Sequence, residues 1–256
     1  MENPENSKLI ARLEDVSLAF GERVVLQNCS LGIIEGAITC IIGLTGAGKS
    51  TILRLLDGLL LPDDGHVFVH GQDICHLSEE QINVVRRKIS LSFQFSALLD
   101  SLTVGENVAL PLKERTKLSA AEIRRLVMDA LESVGLADAY DNLPAELSGG
   151  MLKRAGFARA IVTNPELVLY DEPTTGLDPI VTNLIPDTIL RLREKLKGTA
   201  VVISHDLASI FAMADYVAML FEGAIIAYDT AERIRNSRNP IVAQFLEGSD
   251  VGPIPI

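Results

Sequence analysis

The sequence GLTGAGKS occupies residues 43–50, between an apolar run at 38–42 and a stretch of helical periodicity at 51–56. A strand, a glycine-rich turn and a helix in this order make the GxxxxGKS pattern a specific signal for a phosphate-binding loop. Successive backbone N–H groups of such a loop surround a phosphate chain, and side chains at Gly43, Gly46 or Gly48 would obstruct the close approach. The stretch therefore predicts a nucleotide-binding site.

The polar residues of the loop fit a triphosphate with a bound metal ion. Lys49 brings a positive charge to the outer phosphates, and Ser50 offers a hydroxyl group to Mg²⁺. The helix that begins there directs the positive end of its dipole at the anion. We expect contacts with the nucleotide along the whole stretch, from Gly43, Leu44, Thr45, Gly46, Ala47, Gly48, Lys49, Ser50 and Thr51.

Composition narrows the classes of function. The chain has 256 residues, 48% of them hydrophobic, which suits one large α/β domain or a core with a subdomain. The formal net charge of −11 argues against a nucleic-acid-binding surface. No apolar run approaches the ~18 residues of a membrane-spanning helix, and the polar start MENPENSKL does not resemble a secretion signal. The three cysteines lack a metal-binding spacing, so we expect reduced, packed thiols in a cytosolic protein.

Periodicity and turn residues predict a parallel α/β core, an antiparallel β flank and a helical insertion. Residues 8–34 read as antiparallel strands around a turn at Gly21–Glu22. Capping boxes at Ser78–Gln81 and Ser119–Glu122 open helices. The remaining predicted elements are a strand at 67–69, a strand at 88–93 that ends at Gln94, a helix after 147, a strand at 167–170, a helix at 179–197 kinked at Pro186, a strand at 200–203, a hairpin at 216–228 and two short final helices.

Polar residues follow several of the apolar strands. They are the phosphate-binding loop, Gln94, the pair Asp171–Glu172, and His205. The carboxyl ends of parallel strands share one edge of a sheet, so these residues are expected to converge. Each alone is usually a helix cap or a satisfied surface residue, but all of them in this order are improbable by chance.

Each of these residues has an expected role in nucleotide hydrolysis. Asp171 is the expected ligand of Mg²⁺, either direct or through a water molecule. Glu172 is the expected general base for the attacking water. Gln94 can contact both Mg²⁺ and water, and His205 can donate a hydrogen bond to the γ-phosphate. The catalytic set is therefore Glu172, His205, Gln94 and Lys49, and the metal set is Ser50, Gln94 and Asp171.

A second glycine-rich helix start lies at Ser148, Gly149 and Gly150, inside the helical insertion. Backbone N–H groups at such a start can bind another phosphate. Because the insertion need not face its own phosphate loop, two copies of the chain arranged head to tail would each complete the other's nucleotide site.

With these motifs the chain resembles an ATP-binding-cassette ATPase over nearly its full length. The matching motifs are Walker A at 43–50, the Q-loop Gln94, the signature LSGGM at 147–151, Walker B LVLYDE at 167–172, the D-loop GLDP at 176–179 and the switch His205. The resemblance implies a P-loop NTPase fold with a RecA-like core over 1–94 and 165–228, which includes the antiparallel β subdomain. It also implies a helical subdomain over 95–164, and C-terminal helices with an apolar tail over 229–256.

The same resemblance assigns residues beyond the loop. It implies that Ser148 and Gly150 contact the γ-phosphate held by the partner's Lys49, with Gly149 beside them, and that Asp178 communicates between the two sites. Phe20 takes the position that stacks on adenine, where the family commonly has Tyr. Met151 departs from the family, which usually has Gln at the end of the signature.

The signature LSGGM, the stretch at 106–112 and the ending at 244–248 and 252–253 are similar to the cytoplasmic ATPase of Mla-type phospholipid transporters of bacterial envelopes. That resemblance implies an integral-membrane permease, and hence a position on the cytoplasmic face of the inner membrane, together with an MCE lipid-binding protein and a small STAS-domain protein. Because one chain carries a full set of motifs, we expect two equivalent sites in a homodimer. The alternative is a soluble single-cassette ATPase of the iron–sulfur-assembly type. Cassettes that act on nucleic acid or ribosomes are disfavoured by the acidic charge, and a GTPase by the absence of an NKxD-like motif.

Two apolar segments suggest contacts with partner proteins. Residues 95–99, FSALL, are apolar where a loop would be polar, and they are expected to form either subdomain core or a groove for a permease helix. The tail at 250–256, DVGPIPI, is expected to be extended because of its prolines. We hypothesise that its apolar side chains dock on the partner ATPase subunit.

Overall fold

The strands of the computed structural model, which describes residues 8–92 and 97–255, follow the predicted order closely. They are β1 (Leu9–Phe20), β2 (Arg23–Ile34), β3 (Ile38–Ile42), β4 (Asp64–Val69), β5 (Gln72–Asp73), β6 (Ile89–Ser92), β7 (Leu167–Asp171), β8 (Thr199–Ile203), β9 (Tyr216–Phe221) and β10 (Ala224–Thr230). The predicted turn at Gly21–Glu22 and the predicted C-terminal hairpin are both confirmed.

The strands form two sheets of different character. The larger sheet has the order β10-β9-β3-β8-β7-β6, and its strands run parallel except for β10. Strands β3 and β8 are buried along their whole length, as expected for parallel strands covered on both faces. The smaller sheet, β2-β1-β4-β5, is antiparallel. The predicted α/β fold with a parallel core and an antiparallel flank is confirmed.

The helices begin at well-formed caps. They are α1 (Lys49–Leu56), α2 (Glu79–Arg86), α3 (Val104–Arg115), α4 (Ala120–Ser133), α5 (Gly149–Ile161), α6 (Pro179–Thr182), α7 (Leu184–Leu196), α8 (Leu207–Met213), α9 (Ala231–Arg235) and α10 (Pro240–Glu247). The capping boxes predicted at Ser78 and Ser119 open α2 and α4. Thr103 and Glu106 form another box at the start of α3, a helix that the sequence analysis did not distinguish. None of the described helices is long and apolar enough to cross a membrane.

The segment at 179–197 differs from the prediction of one kinked helix. Helix α6 ends at Thr182, and α7 begins at Leu184. Thr182 lies four residues before Pro186, so its carbonyl would meet the pyrrolidine ring in a continuous helix, and Pro186 has no N–H to donate. The proline therefore ends one helix and lies in the first turn of the next.

Two hydrophobic clusters fill the space on either side of the parallel sheet. Strand β3 contributes Ile38, Cys40 and Ile42 to one cluster and Ile41 to the other, as the alternation of side chains along a strand requires. The first cluster includes α3, α4 and α5, and the second includes α1 and the antiparallel strands. In the described residues Cys29, Cys40 and Cys75 are free thiols, as predicted.

The tail was expected to be extended, but residues 250–254 form consecutive bends and fold back onto their own chain. Gln244 of α10 is buried, and its Nε2 donates to the carbonyl oxygens of Ser249 (3.2 Å) and Ile254 (3.3 Å). Its Oε1 accepts from the Ile254 N–H at 2.7 Å, and the Ile254 side chain joins the first hydrophobic cluster. The hypothesis of docking on a partner is therefore wrong for Ile254, whereas Val251 is 79% exposed. Ile256 lies outside the described residues.

Candidate active site

The phosphate-binding loop connects β3 to α1, and its glycines have positive φ angles. Gly43 has a φ of 146°, and a Cβ atom there would lie 2.2 Å from the Leu220 carbonyl oxygen. Gly48 has a φ of 104°, and a Cβ atom there would lie 2.8 Å from Cγ1 of Val25. Both the backbone conformation and the space exclude larger residues. The loop therefore keeps the tight, glycine-dependent backbone course that lets a phosphate chain approach the main chain closely.

The Lys49 side chain lies against the phosphate-binding loop. Its Nζ donates hydrogen bonds to the carbonyl oxygens of Gly43 and Leu44, both at 2.9 Å. Lys49 is only 7% exposed, and burial lowers its pKa, although Glu172 and Asp171 oppose that shift. The ammonium group is held at the loop, next to the first turn of α1.

Ser50 and Asp171 bring two oxygen ligands together. The Ser50 hydroxyl donates to Oδ1 of Asp171 at 2.9 Å, although the residues are 121 positions apart in the chain. Burial raises the pKa of Asp171, and the hydrogen bond from Ser50 opposes the shift. A hydroxyl and a carboxylate are oxygen donors of the kind that Mg²⁺ prefers. Gln94, the other predicted metal ligand, lies outside the described residues.

Glu172 follows directly, at the end of β7. Its Oε2 lies 2.8 Å from Nδ1 of His205 and accepts a hydrogen bond from the Thr175 hydroxyl at 3.2 Å. The Glu172 backbone has a φ of 48°, in the left-handed region, and its N–H donates to the Ile203 carbonyl of the neighbouring strand β8 at 2.9 Å. The Lys153 Nζ on α5 donates to the Glu172 carbonyl oxygen at 3.4 Å. The carboxylate is therefore held in one orientation beside the phosphate loop.

A pocket of about 430 Å³ opens between the loop and these residues. Its volume is in the range of small-molecule sites. The antiparallel sheet contributes Phe20, Arg23 and Val25 to its wall. Phe20 is 50% exposed, so one aromatic face is free to stack on a base. The remaining lining residues are Thr45, Gly46, Gly48, Lys49, Ser50, Thr51, Glu172, Thr175 and His205.

Arg23 and Thr175 were not identified from the sequence. Arg23 is at the start of β2, and its Nη2 donates to the Gly46 carbonyl oxygen at 3.1 Å. Its position immediately after the predicted turn at Gly21–Glu22, beside the candidate stacking residue Phe20, is the signal that could have indicated it. Thr175 has a weaker signal, since it follows Glu172 by three residues in a loop.

The signature motif lies at the start of α5. Ser148 caps the helix by accepting the Met151 N–H at 3.3 Å, and Ser148 and Gly149 are exposed. Gly150 is buried against α6, where a Cβ atom would lie 2.4 Å from Cγ1 of Val181. Asp178 caps α6 through two hydrogen bonds of 3.0 Å, from the N–H groups of Ile180 and Val181. The Met151 side chain packs against the first hydrophobic cluster, so an apolar contact replaces the amide of the usual Gln.

The structure thus separates the predicted residues into two groups. Phe20, Lys49, Ser50, Glu172 and His205 line one pocket, and Asp171 contacts Ser50 beneath it. Among the residues that the structure describes, the lining of this pocket does not include Ser148, Gly149, Gly150 or Asp178.

Comparison with known proteins agrees with this geometry. The family model described as ABC transporter matches residues 26–175. The "Intermembrane phospholipid transport system ATP-binding protein MlaF" of Haemophilus influenzae is 41% identical over 249 residues, which cover 97% of this chain and 94% of the relative. The protein of the same name from Escherichia coli K12 is 40% identical over 243 residues, covering 95% and 90%.

Solved structures show the same fold. A dimeric ATP-binding cassette in a post-hydrolysis state, bound to ADP and Pi, superposes with a TM-score of 0.79 at 31% identity, covering 86% of this chain and 98% of that one. ATP and Mg²⁺ are the cofactors of such cassettes, and the phosphate cradle and the Ser50–Asp171 oxygens fit both. The chain belongs to the ABC transporter family and is one of its ATP-hydrolysing cassettes.

Proposed function

We propose that this chain hydrolyses ATP to energise phospholipid transport across a bacterial envelope. The contact between Glu172 and His205 in the pocket that holds Lys49 and Ser50 is the observation that carries the hydrolytic part. The lipid part rests on relatives named for intermembrane phospholipid transport, which share about two fifths of their residues with this chain over nearly its whole length. These relatives give no support to the iron–sulfur alternative.

The residues of the pocket have distinct roles in ATP binding and hydrolysis. Lys49 and the loop N–H groups bind the phosphates, and Phe20 stacks on adenine. Ser50 and Asp171 would hold Mg²⁺, which when bound would neutralise charge on the outer phosphates. Glu172 accepts the proton of the attacking water, and His205 donates to the γ-phosphate while it keeps the Glu172 carboxylate in position. Gln94 completes the metal and water contacts.

The second glycine-rich helix start acts on the other subunit of a homodimer. Ser148, Gly149 and Gly150 lie apart from the pocket of their own chain, and the first two are exposed. Placed over the pocket of a second copy, their N–H groups and the Ser148 hydroxyl would contact the γ-phosphate. Asp178 of the D-loop caps the start of α6, whose Val181 touches Gly150, and so would communicate between the two sites. A solved relative is a dimer of such cassettes.

A groove beside the parallel sheet supports a permease partner. It has a volume of about 390 Å³, and its lining combines apolar Leu59 and Leu91 with the guanidinium groups of Arg86 and Arg115. Ala97 of the segment at 95–99 is part of the lining, whereas Phe95 and Ser96 lie outside the described residues. The permease helix seated there would hold the ATPase on the cytoplasmic face of the inner membrane, with the MCE and STAS-domain proteins in the same complex.

The test is purification of the chain from detergent-solubilised membranes, followed by reconstitution of the complex that it brings with it. We expect an integral-membrane subunit to copurify, and ATP-dependent transfer of a fluorescent phospholipid that Glu172→Gln abolishes. Stable copurification with a soluble assembly in place of a membrane subunit would contradict the proposal.

A further inference from the structure

A group of side chains with metal-ligand chemistry lies on the hairpin of β4 and β5, at the opposite edge of the antiparallel sheet from β2. His66 is on β4, Asp73 is on β5, and His76 follows three residues later. One ligand atom of each lies within 4.8 Å of the others. We propose that His66, Asp73 and His76 form a binding site for a divalent ion of the Zn²⁺ class.

The hairpin sequence brings these side chains to one face. The turn at His70 and Gly71 has positive φ angles of 50° and 76°, as a tight two-residue turn requires. The resulting register pairs Phe68 with Asp73. On β4, Val67 and Val69 are buried, so His66 takes the outward face by alternation.

The residues after β5 continue the pairing and place Asp73 and His76. The Ile74 N–H donates to the Val67 carbonyl at 2.9 Å, and the Ile74 side chain is buried. Asp73 precedes Ile74 and therefore lies on the same outward face as His66. His76, three residues after Asp73, lies within reach of both.

Two of the three ligands, His66 and Asp73, already contact each other before any ion binds. One oxygen of Asp73, Oδ1, accepts the Cys75 N–H at 3.0 Å, and the other, Oδ2, lies 2.8 Å from Nδ1 of His66. The ring of His76 lies edge-on to that of His66, with centroids 6.1 Å apart. A backbone bond to a ligating carboxylate is the kind of outer contact that orients ligands in natural metal sites. An ion would replace only the His66–Asp73 contact.

The donor set selects the ion. Two imidazoles and one carboxylate are a ligand set of zinc enzymes, with a fourth position for water. Mg²⁺ and Ca²⁺ prefer oxygen ligands, so the two imidazoles disfavour them. Cys75 is close, but its Sγ accepts the Val67 N–H at 3.3 Å and donates to the Gly65 carbonyl at 4.0 Å. The thiol also contacts the Asp73 carboxylate, but its Sγ is not among the ligand atoms that lie within 4.8 Å of one another. An ion bound by those atoms would connect the short edge strand β5 to β4 through nitrogen and oxygen ligands.

The experiment titrates Zn²⁺ by calorimetry into the tag-free chain, with saturating Mg²⁺ and ADP present so that the nucleotide pocket is occupied. We expect one Zn²⁺ per chain, lost in the variant that combines His66→Gln with His76→Gln. At Zn²⁺ 100-fold above its Kd, the unfolding temperature of the wild type should rise by about 5 °C. Co²⁺ in place of Zn²⁺ should give visible absorption bands without a thiolate charge-transfer band.

His70→Gln is the matched control, because His70 is on the same hairpin but faces Glu166, with Nδ1 3.4 Å from Oε2. This variant should keep full Zn²⁺ binding, as should Cys75→Ser. ATP hydrolysis by all variants reports whether they are folded, because the hairpin does not line the nucleotide pocket in the described residues. A wild type that binds no more Zn²⁺ than the double variant, or a thiolate band with Co²⁺, overturns the proposal.

Discussion

The starts of α1 and α5 are both rich in glycine, but only one of them has its N–H groups open toward its own chain's pocket. Helix α1 begins after Gly48 without any side-chain cap, and Lys49 and Ser50 flank its free N–H groups. Helix α5 begins after Ser148, whose hydroxyl accepts the Met151 N–H. The uncapped start lines one pocket with Glu172, and among the described residues the capped start does not line that pocket. A symmetric dimer could bring the α5 start of one copy to the α1 start of the other, as proposed above.

The largest expected effect tests the α1 side. Glu172→Gln should lower ATP turnover by about 10²–10⁴-fold, because general-base catalysis is lost while the phosphate cradle remains. ATP affinity should be unchanged, and the variant should accumulate as an ATP-bound dimer. Phosphate release and equilibrium ATP binding measure the two effects. Turnover near that of the wild type would remove Glu172 from the role of base.

The next effect tests the α5 side. Ser148→Ala should lower turnover by about 10²–10³-fold, as expected when one donor to a developing anion is lost. Loss of the cap costs only about 1 kcal/mol of stability, so the fold should persist. The nucleotide affinity of the single chain should not change, because Ser148 does not line the described pocket of its own chain. A matching fall in nucleotide affinity would place Ser148 at its own site.

Mixing variants decides whether the two surfaces act in trans. A dimer of one Ser148→Ala subunit and one Lys49→Ala subunit has one site with both lesions and one site with neither. We expect the mixture to exceed both parents in ATP turnover. If it does not, either the sites hydrolyse ATP only in concert or the two helix starts do not face each other.

A smaller effect concerns the charge at the α1 start. Lys49→Ala should weaken ATP binding by roughly 10- to 100-fold, the equivalent of one hydrogen bond to a charged group. ADP affinity should fall less than ATP affinity, because Lys49 faces the outer phosphates. Equilibrium binding of both nucleotides gives the ratio, and equal losses for the two would argue that the ammonium group supports only the shape of the loop.

The smallest effect lies at the other end of α1, where Asp57 puts a carboxylate at the negative end of the helix dipole. Burial raises its pKa to about 6, with Arg86 and Arg115 opposing the shift. In the unfolded chain the pKa is about 3.9. The contribution of protonated Asp57 to the free energy of unfolding is therefore fully present below about pH 4 and is lost as the pH rises through about 6.

Asp57→Asn should then raise the free energy of unfolding by about 1–3 kcal/mol at pH 7.5 and leave it unchanged at pH 4. Urea denaturation at the two pH values measures this difference. An equal effect at both would show that the substitution acts through packing and not through charge.

The sequence predicted the groups whose partners are local or whose position is set by strand ends. The phosphate loop, Asp171, Glu172 and His205 converge because parallel strands end at one edge of the sheet, and the caps at Ser78 and Ser119 depend on residues three positions away. The sequence did not predict the position of Arg23 or the grouping of His66, Asp73 and His76, because both depend on how strands pair in space. The Gln244 contact with Ile254 was missed for a related reason, since it depends on the way the tail folds back on α10.

The left-handed backbone conformation at Glu172 favours glycine for stability, whereas activity requires the carboxylate. A side chain held at a φ of 48° costs about 1 kcal/mol relative to glycine, which adopts that angle freely. The residue that would make this turn most stable is therefore the one that has no carboxylate. A more stable fold would favour glycine at residue 172, whereas ATP turnover requires the glutamate. Stability and activity therefore conflict at this position.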